Sequence, residues 1–318
     1  MHNWKTTFKK ETVRSPQQLT TITKRATSNQ AHQQFPTLAP ISFLNTNNPA
    51  LIKQVLPSKQ ETKITKGFTT DPLQEQAHTI TNGLIQKYQS RALITTTGAC
   101  AIHCRYCFRR HFNYQEQNPL TPTNLQAITK SLADDKTIQE IILSGGDPLM
   151  LDDHKLQQLF NLIHKIKHIT TIRIHTRVPT VLPKRITQQL INILKRIKQQ
   201  LVIVLHINHP DELTTPATTA IQQLHQTTHH ILNQSVLLKG INDNPETLIQ
   251  LSNKLFKHHI TPYYLHSLDP VKGTSHFQVP LPKAKQIMQT LRDSLPGYLV
   301  PKFVKEVPNL KSKKQIHY

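Results

Sequence analysis

The sequence contains little cysteine, little glycine and few acidic residues. Its 318 residues include 3 Cys, 8 Gly and 1 Trp, and 39 Lys and Arg outnumber 18 Asp and Glu. No stretch approaches the roughly 20 apolar residues of a membrane-spanning helix, which excludes an integral membrane protein. Residues 1–10 contain no apolar segment, so we expect no secretory signal and a cytoplasmic protein. The hydrophobic fraction of 36% is gathered in short runs, which excludes a wholly disordered chain.

The three cysteines lie within eight residues, at Cys100, Cys104 and Cys107. An odd and clustered set cannot form a disulfide framework, so it indicates a reducing compartment and a metal. Three thiolates on one C-x3-C-x2-C loop can hold three irons of a [4Fe–4S] cluster and leave the fourth iron open to a ligand. The alternative is a zinc site with His103 or His111 as its fourth ligand.

The formal net charge of +21 favours anionic partners such as nucleic acid, an acidic protein or phosphorylated cofactors. The basic residues are, however, spread along the chain rather than gathered in one arm. The charge therefore also fits a generally basic surface with no specific partner.

From Arg91 onward, short runs that suit buried strands alternate with longer runs of helical period. The predicted strands are 92–96, 140–143, 171–175, 201–207, 231–238 and 261–265, and the predicted helices lie near 122–134, 153–167, 184–199, 215–228, 245–257 and 282–294. Six successive β-α units predict a parallel sheet with right-handed crossovers. Polar residues at all six strand ends favour an incomplete (β/α)6 barrel over an open doubly wound sheet.

Three regions are expected around this rhythm. Residues 1–88 are predicted to form an N-terminal extension of short helices and turns with a poorly ordered start, including a helix that runs from the 71–75 loop towards Tyr88. Residues 89–296 form the partial barrel, and residues 297–318 form a short basic tail.

A glycine pair, Gly145-Gly146, follows the second predicted strand between Ser144 and Asp147. In a chain with so few glycines, such a pair indicates a place where the backbone must approach a ligand closely. A plain strand-to-loop turn is the alternative.

The cysteine loop after the first strand and the glycine pair after the second together resemble the radical S-adenosylmethionine superfamily. Cys104 to Phe112 resembles the lysine 2,3-aminomutase family more closely, and so do stretches at 71–73, 87–91, 173–179, 206–210, 233–238, 262–266 and 297–301. The resemblance extends from about residue 40 to the end. The short C-terminus resembles the branch that makes (R)-β-lysine for modification of elongation factor P. An isomerase that moves the α-amino group of free L-lysine to the β-carbon is implied.

The resemblance implies that Cys100, Cys104 and Cys107 bind the cluster and that the open iron binds S-adenosylmethionine, whose cleavage yields a 5′-deoxyadenosyl radical. Gly145 and Gly146 match the motif that meets the methionine amino group. The other positions implied at the cofactors are Ser144, Asp147, His206 and Gln234.

Pyridoxal 5′-phosphate is the second implied cofactor. The lysine that binds it covalently falls on Lys313, with Lys311 and Lys314 as alternatives. Tyr88 and Arg91 match the positions that bind the cofactor phosphate. Arg177 is a further candidate beside the cofactor.

Substrate binding is implied at three charged residues. Arg109 matches the residue that pairs with the α-carboxylate, while Asp269 and Glu306 match the two acids that hold the distal ammonium and select lysine over shorter amino acids. Family enzymes often carry Asp where this chain has Glu306. His206 and His209 could alternatively hold a second metal.

The implied partners are free L-lysine, an electron donor of unidentified kind, and elongation factor P with its lysyl ligase. No membrane or nucleic acid is expected as a partner, and homo-oligomerisation is left open. Two other hypotheses compete with the aminomutase. One is a radical enzyme that acts on another amino acid or on RNA, and the other is a non-enzymatic zinc module that binds nucleic acid.

Overall fold

The computed structural model describes residues 4–44, 48–115 and 118–318. The predicted poorly ordered start falls partly on residues 1–3, outside these ranges, and the first helix begins at Trp4. The extension comprises α1 Trp4–Lys10, β1 Thr12–Val13, α2 Pro16–Thr23, α3 Asn29–Gln34, β2 Ala39–Pro40, α4 Ile41–Leu44 and α5 Pro49–Lys53. Ser15, Ser28 and Asn48 cap α2, α3 and α5 by accepting backbone N–H bonds, which stabilises these short helices. The predicted helical extension is confirmed.

The main sheet contains ten strands among the described residues, and their spatial order follows the chain. The strands are β3 Thr79–Thr81, β4 Leu84–Tyr88, β5 Arg91–Thr97, β6 Glu140–Gly145, β7 Thr171–Thr176, β8 Gln200–His206, β9 His230–Val236, β10 Thr261–His266, β11 Lys302–Lys305 and β12 Lys314–Gln315. Strands β5 to β11 run parallel, whereas β3, β4 and β12 pair antiparallel at the two edges. All six predicted strands and the incomplete parallel barrel are therefore confirmed.

Seven helices of the described residues follow or connect these strands. They are α6 Pro122–Asp134, α7 Asp153–His164, α8 Val178–Val181, α9 Gln188–Lys195, α10 Thr215–Leu224, α11 Pro245–Lys257 and α12 Leu281–Ser294. The predicted helix near 184–199 is shorter than expected, because a turn over Pro183–Arg185 precedes α9. Every other helix predicted after Arg91 is present, with α7 and α10 ending three to four residues early.

The predicted helix leading towards Tyr88 is wrong, because this segment forms the β3–β4 hairpin. Gly83 adopts a positive φ of 85° in the connection, and the Asn82-Gly83 pair is a strong signal for such a turn. The run from Leu84 to Tyr88 also lacks a helical apolar stripe. The hairpin therefore adds two strands to the sheet before the first predicted strand.

Side-chain alternation along the parallel strands separates a packed face from a cavity face. In β7, Ile172 and Ile174 are fully buried in the hydrophobic core, whereas Arg173 and His175 line a cavity. Successive side chains of a strand point to opposite faces of the sheet. Residues from β4 through β10 line the same cavity, so the sheet curves around it.

The glycine pair packs against the beginning of the cysteine loop. Gly145 has a φ of +119°, and a Cβ there would lie 2.7 Å from the Thr97 carbonyl oxygen. A Cβ on Gly146 would lie 2.3 Å from the Ala99 carbonyl oxygen, and the Gly146 N–H donates to the Thr97 carbonyl at 2.6 Å. The two glycines therefore allow the backbone to approach the beginning of the cysteine loop closely. A contact between the glycine pair and a ligand stays a prediction.

Substituting Gly145→Ala is expected to lower the free energy of unfolding by about 1–3 kcal/mol, because a residue with a side chain is strained at this backbone angle. Gly297→Ala is the control, since its Cβ would meet no atom within 4 Å and its φ is not positive. We expect the control to change stability by less than about 0.5 kcal/mol. Urea unfolding of both variants measures the difference, and equal midpoints would contradict the strain at Gly145.

Candidate active site

Every residue predicted for the site lines one cavity of about 390 Å³, a size typical of small-molecule sites. The cysteine loop between β5 and α6 forms one part of its wall. Residues of β4 to β10 and of the tail form most of the rest. Of the three lysines considered for pyridoxal phosphate, Lys313 lines the cavity, whereas Lys311 and Lys314 are exposed outside it.

The three thiols of the cysteine loop are free and half-buried. Burial and the neighbouring thiols raise the pKa of Cys100 well above its usual range, and burial together with Cys104 raises the pKa of Cys107 to about 11. A bound metal centre would supply the positive charge that turns such thiols into thiolates. The loop therefore has the donor set and the desolvated setting that a cluster requires.

Nothing in the geometry favours the zinc alternative. Within 4–44, 48–115 and 118–318, no three His, Cys, Asp or Glu side chains are arranged to hold a single ion. His103 bonds the Pro36 carbonyl through Nδ1 at 2.8 Å, and His111 bonds the Lys272 carbonyl through Nε2 at 3.1 Å. A cluster instead binds each thiolate to a different iron, which does not require the thiols to converge on one point.

The Arg177 guanidinium group contacts residues of the cysteine loop. Its Nη1 lies 2.6 Å from Cys104 Sγ and 2.6 Å from the Tyr106 hydroxyl. Its Nη2 donates to Gln54 at 2.6 Å and to Glu212 at 2.9 Å. These contacts place Arg177 against the cysteine loop, and its predicted place beside pyridoxal phosphate stays a prediction.

His206 also belongs to this region. Its Nε2 lies 3.0 Å from the Tyr106 hydroxyl, and the two rings stack with centroids 5.8 Å apart. Burial lowers the pKa of His206 well below its usual range, so the ring is neutral. Gln234 lines the cavity from the next strand, β9.

Asp147 has its carboxylate oxygens occupied by the protein. They accept from the Thr176 hydroxyl at 2.8 and 3.0 Å and from the backbone N–H groups of Leu149, Arg177 and Val178 at 3.0, 2.7 and 3.2 Å. Burial raises the pKa of Asp147 to about 6. Asp147 thus ties the loop after β6 to the end of β7, and its predicted role in contacting a cofactor stays a prediction.

Arg109 forms a buried, bidentate ion pair with Glu75, which the sequence analysis did not identify. Arg109 Nε and Nη2 each donate to a Glu75 oxygen at 2.7 Å, and Nη1 donates to Ser144 Oγ at 3.0 Å. Arginine has five N–H donors, so two remain, one on each terminal nitrogen. The guanidinium group is thus held rigidly and can still donate two hydrogen bonds to a carboxylate.

Glu306 and Lys313 form an ion pair inside the cavity. Glu306 also accepts from Lys87 Nζ at 3.2 Å and from the Tyr88 hydroxyl at 3.4 Å. Burial acts to raise the pKa of Glu306, but the ammonium groups of Lys313 and Lys87 outweigh it and lower the pKa to about 2. Lys87 lies 3.5 Å from Glu75 as well, so alternating charges connect Arg109 to Lys313.

Asp269 has a buried carboxyl oxygen with no partner. Its Oδ1 is inaccessible to solvent and makes no hydrogen bond. Burial and the nearby Glu306 carboxylate raise the pKa of Asp269 to about 7. An unpartnered carboxyl oxygen in a cavity suits a cationic ligand group, because such a group would satisfy both the charge and the hydrogen bond.

Arg91 and several residues without a predicted role complete the cavity wall. The Arg91 guanidinium lies 4.6 Å from the centre of the Tyr88 ring. The Nε2 of His175 is buried without a partner, and burial lowers the pKa of His266 to about 3. Arg173 pairs with Glu140 at 2.5 Å. His175, His266 and Arg173 occupy the cavity-facing alternate positions of β7 and β10, so strand period could have identified them.

Substituting Glu75→Gln is expected to lower the free energy of unfolding by about 3–5 kcal/mol, because it leaves the buried Arg109 charge unpaired. Glu11→Gln is the matched control, since Glu11 pairs with Lys184 at 3.1 Å on the surface. We expect the control to cost less than about 1 kcal/mol. Urea unfolding compares the two, and equal losses would contradict a structural role for the Glu75–Arg109 pair.

A parallel sheet that curves around a cavity, with a three-cysteine loop after its first parallel strand, defines a radical S-adenosylmethionine protein. The Radical SAM superfamily matches residues 94–251. A radical SAM methyltransferase structure from Sphaerobacter thermophilus shares the fold, with a TM-score of 0.50 and 16% identity over 70% of this chain and 68% of that chain.

Curated relatives identify the family more narrowly. The L-lysine 2,3-aminomutase of Escherichia coli (strain K12) is 42% identical over 89% of this chain and 84% of the relative. The enzyme of the same name from Haemophilus influenzae is 44% identical over 84% and 79%, and that of Clostridium subterminale is 32% identical over 84% and 65%. The chain belongs to the lysine 2,3-aminomutase family of radical S-adenosylmethionine isomerases. This family implies a [4Fe–4S] cluster and S-adenosylmethionine, so both predictions are confirmed.

Among the described residues, none of the helices combines the length and apolar character needed to cross a bilayer.

Proposed function

We propose that this protein is a cytoplasmic L-lysine 2,3-aminomutase that uses pyridoxal phosphate and forms (R)-β-lysine for modification of elongation factor P. One observation carries the proposal: a single cavity is lined by the cysteine loop, by Arg109, and by the group of Asp269, Glu306 and Lys313. Such a cavity offers groups of opposite charge to the carboxylate and the distal ammonium of a diamino acid.

Arg109 binds the α-carboxylate of lysine through the two donors that Glu75 and Ser144 leave unused. The two hydrogen bonds from Arg109 Nε and Nη2 to Glu75 fix the plane of the guanidinium group. The substrate carboxylate therefore binds a group that is already oriented. Asp269 and Glu306 bind the distal ammonium. A shorter amino acid would leave these acids without the cation, which costs binding free energy.

Lys313 and Glu306 are paired in the ligand-free cavity, and this ion pair must break when the cofactor and the substrate bind. Covalent attachment of pyridoxal phosphate requires a deprotonated lysine amine, so Lys313 must give up its proton and its ion pair. Glu306 then loses one of its two ammonium neighbours and becomes available to the substrate ammonium. Tyr88 and the Arg91 guanidinium above its ring would hold the cofactor phosphate.

When bound, the cluster with S-adenosylmethionine would supply the radical chemistry, and pyridoxal phosphate would supply a conjugated system for the migrating nitrogen. The protein's part is to keep the two ends of lysine fixed while hydrogen leaves and returns. The buried, partly apolar cavity wall also excludes water from the radical chemistry.

The R isomer and the link to elongation factor P with its lysyl ligase belong to the same proposal. Their support is the resemblance to the branch that makes (R)-β-lysine. The chain is also more similar to the Escherichia coli and Haemophilus influenzae relatives, at 42% and 44% identity, than to that of Clostridium subterminale, at 32%.

The test is an anaerobic assay of the reconstituted enzyme with S-adenosylmethionine, pyridoxal phosphate, dithionite and α-¹⁵N-labelled L-lysine. We expect β-lysine with ¹⁵N on the β-carbon, and chiral derivatisation is expected to give the R isomer. Absence of β-lysine from protein with intact cluster and bound pyridoxal phosphate would contradict the activity. Formation of the S isomer would contradict the assignment to the branch that makes (R)-β-lysine. Failure of the product to support modification of elongation factor P by its ligase would contradict it as well.

A further inference from the structure

Three charged side chains lie buried behind the cysteine loop, and we call Arg105, Arg110 and Glu61 the Glu61 triad. Arg105 lies between the second and third cysteines, and Arg110 follows the third by three residues. Glu61 comes from the short turn Lys59–Thr62 of the N-terminal extension. All three side chains are inaccessible to solvent.

Glu61 is shared by both arginines. Arg105 Nε donates to Glu61 Oε1 at 3.0 Å and Arg105 Nη2 donates to Oε2 at 2.6 Å, while Arg110 Nη2 donates to the same Oε2 at 2.8 Å. Arg105 also donates to the carbonyls of Phe35 and Ala31 at 2.7 and 3.1 Å. The Phe35 ring lies 5.0 Å from one guanidinium and 4.9 Å from the other. The triad thus fastens the cysteine loop to the extension.

The charges of the triad do not cancel. Within the part of the chain that the structure describes, Glu61 is the one carboxylate that pairs with Arg105 or Arg110. Two guanidinium groups and one carboxylate leave a net charge of +1, and Arg110 Nε is buried with no partner. The two other arginines near the loop differ, because Arg109 pairs with Glu75 and Arg177 pairs with Glu212.

We propose that the Glu61 triad is a fixed buried cation that raises the one-electron reduction potential of the cluster held by the loop. Reduction adds one electron from a low-potential donor to the cluster and makes it more negative, with no bond formed in that step. A positive charge stabilises the reduced form, and the effect is large where water is excluded. Net charge and solvent exposure are known determinants of cluster potentials.

This inference rests on the family's cluster and not on lysine or pyridoxal phosphate as ligands. The test is therefore a redox titration, followed by electron paramagnetic resonance, of the full chain with its reconstituted cluster and without lysine. The proteins are the wild type, Arg110→Gln, Arg110→Lys and Glu61→Gln. Arg110→Gln brings the triad to neutral, Glu61→Gln brings it to +2, and Arg110→Lys keeps it at +1.

The two charge-changing variants are expected to shift the potential in opposite directions, although both break the same ion pair. Arg110→Gln should disfavour reduction at least tenfold in equilibrium constant, or 59 mV for a one-electron couple, and Glu61→Gln should favour it. Arg110→Lys should stay near the wild type. A merely structural role predicts cluster loss or shifts of one sign in both charge-changing variants.

Several outcomes would overturn the proposal. One is an unchanged potential in Arg110→Gln with full iron content. Another is a shift of the same sign in Arg110→Gln and Glu61→Gln. The third is an equal loss of iron from Arg110→Gln and Arg110→Lys. If Glu61→Gln does not fold, the two Arg110 variants decide. Shifted potentials in an enzyme that makes no β-lysine would uphold the triad and contradict the proposed function.

Discussion

Replacing Lys313 with alanine is expected to abolish both pyridoxal phosphate binding and β-lysine formation. Lys313 is the one lysine of the three candidates that lines the cavity, and covalent attachment needs its amine. Without the covalent link the cofactor is no longer held at the site, so no β-lysine should form above background. Absorbance of the bound cofactor and the labelled-lysine assay measure the two effects.

Lys311→Ala and Lys314→Ala are the matched controls, because both lysines are exposed and lie within two residues of Lys313. Both are expected to keep the cofactor and the activity. Folding should survive in Lys313→Ala, since Glu306 keeps Lys87 as an ion-pair partner at 3.2 Å. Cofactor retained by Lys313→Ala, or lost from Lys311→Ala, would contradict the assignment.

The parallel strands could be predicted because each is a short apolar run followed by a helical pattern. Strand β11 has two buried apolar residues, Phe303 and Val304, between exposed lysines, and β12 has none, so neither gives such a signal. These two strands form because a neighbouring strand offers unpaired backbone groups. That pairing depends on the assembled sheet and not on the local sequence.

The site residues could be predicted from motifs, whereas their partners could not. Glu75 pairs with Arg109 across 34 positions of the chain, and Glu61 pairs with Arg105 across 44. No sequence period links such residues. Because a helix is expected before Tyr88, the sequence offers no reason to place Lys87 in the site. Its position on the cavity face of β4 follows only from the alternation of side chains along a strand. The sequence indicated which groups the chemistry needs, and the fold determined how their charges are balanced.

The apparent KM for lysine is expected to rise as the pH falls below about 7. Burial and Glu306 raise the pKa of Asp269 to about 7 in the ligand-free cavity, and the lysine ammonium binds the ionised carboxylate. Below that pKa the neutral carboxyl attracts the ammonium less. The KM should therefore increase by about tenfold per pH unit and level off above about pH 8. Initial rates at matched cluster content measure the profile.

Asp269→Asn should raise the KM at every pH and flatten this profile. Removing one partner of a buried charge pair costs about 2–5 kcal/mol, or roughly 30-fold or more in KM. Asp243→Asn is the control, because Asp243 pairs with Lys283 at 2.7 Å outside the cavity. We expect the control to keep both the KM and its pH dependence.

The other ionisable groups facing Asp269 support the assignment of the profile to this residue. The pKa of Glu306 is about 2 and that of Glu75 is also lowered, so both stay ionised near neutral pH. The pKa of His266 is about 3, so its ring stays neutral, and the substrate ammonium titrates only near pH 10. An increase in KM near pH 7 that persists in Asp269→Asn would therefore contradict the role of this carboxylate in holding the lysine ammonium.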